Sequence, residues 1–521
     1  MKQPIYRLIL VWACVLWLLP TVAFHMTEAR PAPAWFDRGV IYQVQPRAFS
    51  ADGKLRSAAA RLEHVRDCGA TIVYLLPVFK MDGQAEKDIW WSPRQIKSGF
   101  EEPKNQYCIT DYFHVDEEYG TDADLRFFCD EAHRLGLKVI FDLVYLHCSV
   151  RNRIFDAIPD AGFRDAEGRL LKGPWRFPKI NFASSAAREY LLTNITYLMT
   201  EFGADGFRCD VGDSVPLDFW IEAHRRMNAI RPDDCVLICE GSNRQNLDSG
   251  AFDSNYGWFP GVPGASAAKI RSWWEWRERE NCGGARFVNH YENHDIATDS
   301  RPRRELQWGH GYVDQTLVFL FTGDGVPLLF NGNEFAEANP NHSMFGHTPL
   351  AWETLGTAEG QARLALVKGL AELRRSEPVF TSVHGEYGQR FLDVTEPEAV
   401  TAFARFAPGA KRILVVQNWT DREVTAKVMF VADGNEEKVS YIVEKNAFDR
   451  SVVGVATERP LLANGATRLS GDTFRLGPFG YWIGEVLPEY AQGAVLVASR
   501  NAAENITNLC VVGGCAMTKF R

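Results

Sequence analysis

Three acids close apolar runs in this chain: Asp210 ends GFRCD (206–210), Glu240 ends VLICE (236–240), and Asp295 ends FVNHYENHD (287–295). An acid directly after such a run lies at the C-terminal end of a strand, and parallel strands closed into a barrel share one mouth at that end. Distant stretches would then deliver three carboxyl groups to one pocket, which is equipment for breaking a glycosidic bond. Cleavage with retained stereochemistry needs a carboxylate nucleophile and a protonated carboxylic acid roughly 5–5.5 Å apart. The acid wants an apolar or charge-crowded setting that raises its pKa, and the nucleophile wants hydrogen bonds that keep it ionised. Arg208 stands two residues before Asp210, on the same face of a strand, and favours ionised Asp210. Glu240 follows Leu237, Ile238 and Cys239, a less polar neighbourhood. Asp295, beside His294, can bind sugar hydroxyls and tighten its grip as oxocarbenium character develops.

The elements that must position these acids are legible as alternating runs between residues 39 and 331. GVIYQV (39–44), TIVYLLP (71–77), LKVIFDL (137–143), ADGFRC (204–209), CVLIC (235–239), RFVNH (286–290) and VPLLF (326–330) read as strands, with a weaker candidate near Ala251-Phe252-Asp253. Their nearly continuous apolar character suits parallel strands buried on both faces. Helical patterns fall between them, the clearest from about Thr121 to Leu135. There Thr121 and Asp124 make a capping box, Leu125, Phe128, Ala132 and Leu135 form one stripe, and Gly136 can end the helix. The pattern implies a (β/α)8 barrel over 35–376, an α/β fold, with a short inserted excursion, 148–182, after the third strand. An open Rossmann-type sheet is the alternative, but no GxGxxG follows the first strand. From about residue 377 short strands with polar turns take over, including AVTAFARF (399–406), RILVVQNW (412–419), EVTAKVMF (423–430) and TFRLGPFGYWIGEV (473–486). They imply a C-terminal antiparallel β-sandwich domain over 377–487. Residues 488–521 have no firm period and read as a poorly ordered tail.

Bulk composition narrows the partners. Of 521 residues, 46% are apolar and 24% charged, enough for a sizeable core, and the formal charge of −9 disfavours polyanions such as nucleic acid. Lys2 and Arg7 precede the apolar run Leu8 to Leu19, followed by Pro20-Thr21-Val22-Ala23, the layout of a secretory signal over 1–23 with a linker over 24–34. The run is short for a membrane span, which needs roughly 20 residues. The expectation is export to a periplasmic or extracellular location, with membrane association only if this segment stays uncleaved. The eleven cysteines are not a disulfide scaffold at this length, and no Cys/His spacing suggests zinc.

Four short motifs, in order and on the right strands, make the chain resemble the α-amylase family, the family 13 glycoside hydrolases. DLVYLH (142–147) is similar to DxVxNH, GFRCD (206–210) to GxRxD, ICEG supplies the third motif's glutamate at Glu240, and ENHD (292–295) matches the fourth. Flanking stretches at 39–49, 107–121 and 325–334 extend the resemblance over 35–375. The resemblance implies that Asp210 is the nucleophile, Glu240 the general acid/base and Asp295 the transition-state stabiliser. It also implies that Arg208 orients Asp210, that His147 and His294 hydrogen-bond the sugar, that Tyr107 stacks on it, and that Asp142 supports the site from behind.

The departures from the pattern are informative too. Leu146 and Lys179 stand where the family often has calcium-binding Asn and Asp, and neither an aliphatic chain nor an ammonium can ligate that ion. No cofactor is therefore expected, calcium at the family's usual site included. Asp213 and Ser214 replace a Lys-His pair that in many starch-degrading members lines the acceptor subsites, and Cys108 replaces a frequent aspartate. Trp90 and Trp91 are candidates for the border of a glucan groove, whereas Trp273, Trp274 and Trp276 read as a helix packed on the barrel. The implied activity is retaining hydrolysis of α-glucosidic bonds in α-glucans or malto-oligosaccharides. A transglycosylase or sucrose/maltose-type isomerase would use the same acids, and a non-catalytic barrel serving as a binding subunit would not need them.

Overall fold

Side chains that alternate between two buried environments make the apolar runs into barrel strands. The computed structural model describes residues 32–259, 261, 264–281, 287–299, 302–380, 388–407, 409–429, 455–456, 459–470, 472–487, 495–499 and 508–512. Eight parallel strands close into a barrel: β1 (Ile41–Val44), β2 (Ile72–Leu75), β3 (Lys138–Leu143), β4 (Gly206–Cys209), β5 (Val236–Cys239), β6 (Ser254–Trp258), β7 (Phe287–His290) and β8 (Val326–Phe330). Each pairs with its neighbours in chain order, and β8 returns to β1. Ile41, Ile72, Tyr74, Ile140, Val236, Ile238, Val288 and Leu328 pack together in one cluster, the barrel interior. Their strand neighbours, among them Tyr42, Val73, Phe207, Cys209, Leu237 and Cys239, belong to the cluster shared with the surrounding helices. This period of two is what a strand buried on both faces requires.

Seven strands fall on the expected runs. The weak eighth begins slightly later than expected because Asp253 is already committed: its backbone N–H donates to the Leu237 carbonyl and its carboxylate accepts the Leu237 N–H, both at 2.9 Å. The helix expected from Thr121 spans Asp122–Arg134, with the Thr121/Asp124 capping box formed and Leu125, Phe128 and Ala132 buried. Gly136 follows it at φ +79°, a left-handed conformation that glycine adopts without strain.

Two excursions rise from the mouth of the barrel, not one. After β2, Phe79–Met81 pairs antiparallel with Ile109–Val115, and short helices Lys87–Trp90 and Pro93–Lys97 lie between them. After β3, the 148–182 segment holds one short helix, Ile154–Ala157, and a 3-10 turn, Pro174–Arg176, and is pinned to the barrel by a bridge between His147 and Lys179.

The C-terminal domain is an antiparallel sheet of seven strands that closes through its longest member, Thr473–Leu487. Residues 473–476 of that strand pair with Val424–Met429, while 481–486 pair with Arg412–Asn418. Alternation again divides the work, since Ile413 and Val415 join the barrel's cluster while Leu414 and Val416 fill the domain's own core. Within the tail, Val495–Ser499 pairs antiparallel with Asn508–Val512. The secretory segment and the linker up to residue 31 lie outside the described residues. Among the described residues no helix is long and apolar enough to cross a membrane.

Candidate active site

Strand register brings the site together. Asp142 on β3 is level with Arg208 on β4, and Cys209 is level with Cys239 on β5, so Asp210 and Glu240, one residue further on, leave the barrel side by side. The pleat turns both cysteines outward, where they are buried free thiols, and the alternate residues Asp142, Arg208 and Glu240 inward. Gly206, one inward position below Arg208, lies so close to β5 that a Cβ there would meet the Val236 carbonyl oxygen at 2.4 Å.

Arg208 is fully buried and distributes its charge over three acids. Its Nη1 donates to both Asp142 oxygens at 2.8 and 2.9 Å and to Asp210 Oδ1 at 3.0 Å, and its Nη2 lies 2.7 Å from Glu240 Oε1. Asp142 also accepts the Tyr74 and Tyr107 hydroxyls at 2.6 and 2.8 Å, so it stands behind the site. A hydrogen-bond chain reaches it from β1: Gln43 Nε2 donates to His294 Nδ1 at 3.0 Å, His294 Nε2 meets the Tyr107 hydroxyl at 2.6 Å, and that hydroxyl donates to Asp142. The chain requires a neutral His294 with its proton on Nε2, and burial, which pulls this imidazole down to about 4, supplies that state. Burial likewise brings His147 down to about 3, and its Nε2 lies 3.6 Å from Asp210 Oδ2. The ring of Tyr107, expected against a sugar, stacks on His294 with centroids 5.4 Å apart.

Glu240 is anchored by backbone as well as by Arg208. Its Oε2 accepts the Val211 N–H at 2.7 Å, and Val211 holds φ 44° and ψ 42°, a left-handed conformation costly for a β-branched residue. This corrects the expectation that Arg208 serves Asp210 while Glu240 sits in a less polar place. Both carboxyls share the arginine because adjacent strands in register deliver them to its two ends. Burial pushes Asp210 well above the usual carboxylate range, with the charges of Glu240, Asp142 and Asp295 adding and Arg208 opposing. Burial also raises Glu240, against Arg208 and the Val211 N–H, with Asp295 crowding it. Both carboxyls therefore hold a proton more readily than isolated carboxyls would.

Asp295 behaves in the opposite way. Burial alone would raise it, but neighbouring N–H groups and cations outweigh that penalty and hold it low: the imidazole Nε2 of His294 is 3.3 Å from Oδ2, Arg94 Nη1 donates to Oδ1 at 2.7 Å, and Arg208 lies behind. The acids open on a cavity of about 320 Å³. Six of the eight residues singled out in the sequence line it, namely Tyr107, His147, Asp210, Glu240, His294 and Asp295, while Arg208 and Asp142 sit behind.

The sequence reading missed Arg94, Trp175, Phe177, Val211, Asp299, Met344 and Phe345 on the same wall. Only Trp175 and Phe177 carried a signal, as aromatics inside the excursion after β3. Trp90 and Trp91, expected as a border, do not line this cavity. Among the three helix tryptophans Trp274 is buried, but Trp276 is 48% exposed and does not pack as expected. Asp213 accepts the Ser242 N–H at 3.0 Å and Asn246 Nδ2 at 2.6 Å, tying down the loop after Glu240. The family's calcium position does not fit the ion, since Leu146 is buried in the core cluster and Lys179 lies opposite His147 across a bridge. Among the described residues no group of three or more His, Cys, Asp or Glu could hold a metal.

Comparisons with known proteins agree with the barrel fold. A family model for the α-amylase catalytic domain matches residues 31–167. The chain is 27% identical over 378 residues to the α-amylase MalA of Haloarcula japonica, covering 67% of this chain and 50% of that protein. It is 25% identical over 506 residues to a maltogenic α-amylase of Bacillus acidopullulyticus, covering 86% and 78%. The chain thus spans about half the length of the first curated relatives it matches. The solved structure of a noncanonic maltogenic α-amylase, AmyB from Thermotoga neapolitana, superposes with a TM-score of 0.69 at 22% identity over 87% of this chain and 99% of that one. Ordered motifs, barrel and likenesses all point the same way: residues 31–167 match the α-amylase catalytic domain, and the chain is similar in sequence and fold to α-amylase-family proteins.

Proposed function

We propose that this chain is an exported retaining glycoside hydrolase acting on α-linked glucans or malto-oligosaccharides. The observation that supports it best is a single guanidinium, Arg208, flanked by Asp210 and Glu240 at 3.0 and 2.7 Å, with Asp295 on the same cavity wall. The relatives' names, α-amylase and maltogenic α-amylase, point to glucose chains as the substrate class.

In this reading the proton that the raised carboxyls favour resides on Glu240 when substrate binds, leaving Asp210 ionised. Glu240 gives it to the leaving glycosidic oxygen as Asp210 attacks the anomeric carbon, forming a glycosyl ester and releasing the shortened sugar. Glu240, now a carboxylate, takes a proton from water, which attacks the anomeric carbon and frees Asp210. Asp295 stabilises the positive charge that develops on the ring, neutral His147 hydrogen-bonds the sugar, and neutral His294 does so by turning its Nε2–H from the Tyr107 hydroxyl toward it. Arg208 orients both acids and Asp142 holds Arg208. The signal-like segment 1–23 supports export, and Leu146 and Lys179 support function without calcium at the family's usual position.

The test is hydrolysis of soluble starch, pullulan, isomaltose, trehalose and sucrose by wild type and Asp210→Asn. Turnover of an α-glucan by the wild type, abolished in a folded Asp210→Asn variant, is the expected result. Undiminished hydrolysis by the variant refutes the assignment of the nucleophile.

A further inference from the structure

Arg94 belongs to no motif in the sequence and sits 201 positions from Asp295, yet its Nη1 donates to Asp295 Oδ1 at 2.7 Å and its Nε donates to Asp299 Oδ1 at 2.9 Å. Asp295 and Asp299 lie one turn apart on the helix His294–Asp299, so the flat guanidinium fork bridges two acids on one helical face. The segment that carries Arg94 is itself fixed. Ser92 and Gln95 form a reciprocal capping box around the helix Pro93–Lys97, and Gln95 Nε2 donates to the Pro103 carbonyl at 3.2 Å. Asn105, whose Nδ2 lies 3.5 Å from Gln95 Oε1, accepts the Tyr107 N–H at 2.9 Å. The excursion after β2 therefore runs from the arginine on Asp295 to the tyrosine on His294 through buried polar contacts.

The charges explain why such a brace is useful. Asp295 is faced by Asp142, Asp210 and Glu240 from β3, β4 and β5, by the tyrosines Tyr107 and Tyr256, by neutral His294 and His290, and by Asp299 on its own helix. Arg208 is divided among the first three acids. Among the described residues, Arg94 is the cation that contacts Asp295 directly. We propose that Arg94 is a positioning residue that orients the Asp295 carboxylate and balances its charge, leaving Oδ2 for the sugar. The inference rests on the reading of Asp295 as the group that stabilises the transition state.

A lysine would keep the charge but lose the fork that serves both acids. Removing the charge lets Asp295 take up a proton at higher pH, so activity should fail first on the acid side. The experiment compares kcat, KM and the pH profile of full-length wild type, Arg94→Gln, Arg94→Lys, Asp299→Asn and Asp295→Asn on one maltosyl substrate. Arg94→Gln is expected to lower kcat about 10–100-fold with KM changed by less than about threefold, and to move the acid limb up by about one pH unit. Arg94→Lys should recover part of the rate and most of the limb. Asp299→Asn, which keeps the arginine's charge, should leave the limb in place. An unmoved limb in Arg94→Gln, with a rate loss uniform in pH and a lowered thermal midpoint, would reduce Arg94 to a loop anchor and overturn the inference alone. An active Asp295→Asn would instead overturn the reading of Asp295 on which it rests.

Discussion

Arg208 reaches Asp210 with Nη1 at 3.0 Å and Glu240 with Nη2 at 2.7 Å, so one buried cation spans the two acids that the proposed chemistry keeps in different protonation states. It cannot neutralise both, because Asp142 already takes two contacts from Nη1. Burial raises both carboxyls, and this surplus negative charge adds to the rise.

That surplus has a cost in stability. Asp210 has a folded pKa above its unfolded value, so the folded chain keeps a proton that the unfolded chain releases. Its contribution favours unfolding increasingly as pH rises from the unfolded value of about 3.9 towards the folded value, and vanishes below both. Asp210→Asn should therefore be inactive yet more stable at pH 8 by about 0.5–2 kcal/mol, with the gain shrinking at pH 4.5. Thermal midpoints at the two pH values check this, and an equal or opposite shift contradicts it.

Asp142 should be structural as well as functional. Replacing it with Ala leaves Arg208 without two of its contacts and the Tyr74 and Tyr107 hydroxyls without their acceptor. A loss of about 2–4 kcal/mol is expected from the buried donors left without an acceptor, since Arg208 still has Asp210 and Glu240 to balance its charge. Denaturant unfolding of Asp142→Ala measures it, and a loss below about 1 kcal/mol would mean that Arg208 finds its partners elsewhere.

The residues proposed to carry chemistry were legible because each sits at the end of an apolar run, where chain position, strand end and barrel mouth coincide. Asp210, Glu240 and Asp295 needed only the topology to meet. What was not legible comes from the loops. Arg94 reaches Asp295 across 201 positions with no periodic pattern to announce it, and the left-handed Val211 that offers its N–H to Glu240 has an ordinary strand-forming side chain. The sharing of Arg208 was missed for a different reason: a single strand suggests its i, i+2 neighbour, whereas the second partner comes from register with β5.

A second buried network holds the loop that bears His294 and Asp295. Glu292 Oε2 accepts Arg303 Nη2 and Asn333 Nδ2, both at 2.8 Å, and Arg303 also pairs with Glu337. Arg303→Ala should cost about 3–5 kcal/mol by stranding two buried carboxylates. Glu292→Gln, which keeps the shape, should cost less, and calorimetry of both variants tests the order.

Trp175 stands at the mouth with 41% of its surface exposed, at φ 55°, its ring edge-on to His147 at 5.2 Å. Trp175→Gly should leave stability within about 1 kcal/mol, since glycine accepts that backbone freely. It should lower kcat/KM on malto-oligosaccharides several-fold through lost stacking worth about 0.5–1.5 kcal/mol. Unchanged kinetics would remove the ring from the substrate's path.

The reading of Asp210 as a nucleophile and Glu240 as its acid/base partner predicts stereochemistry, so proton NMR of the first product formed from maltotriose tests it most directly. The newly released reducing end should appear as the α-anomer before mutarotation. A β-anomer appearing first would mean single displacement by water, and the two carboxyls could not hold the roles given to them.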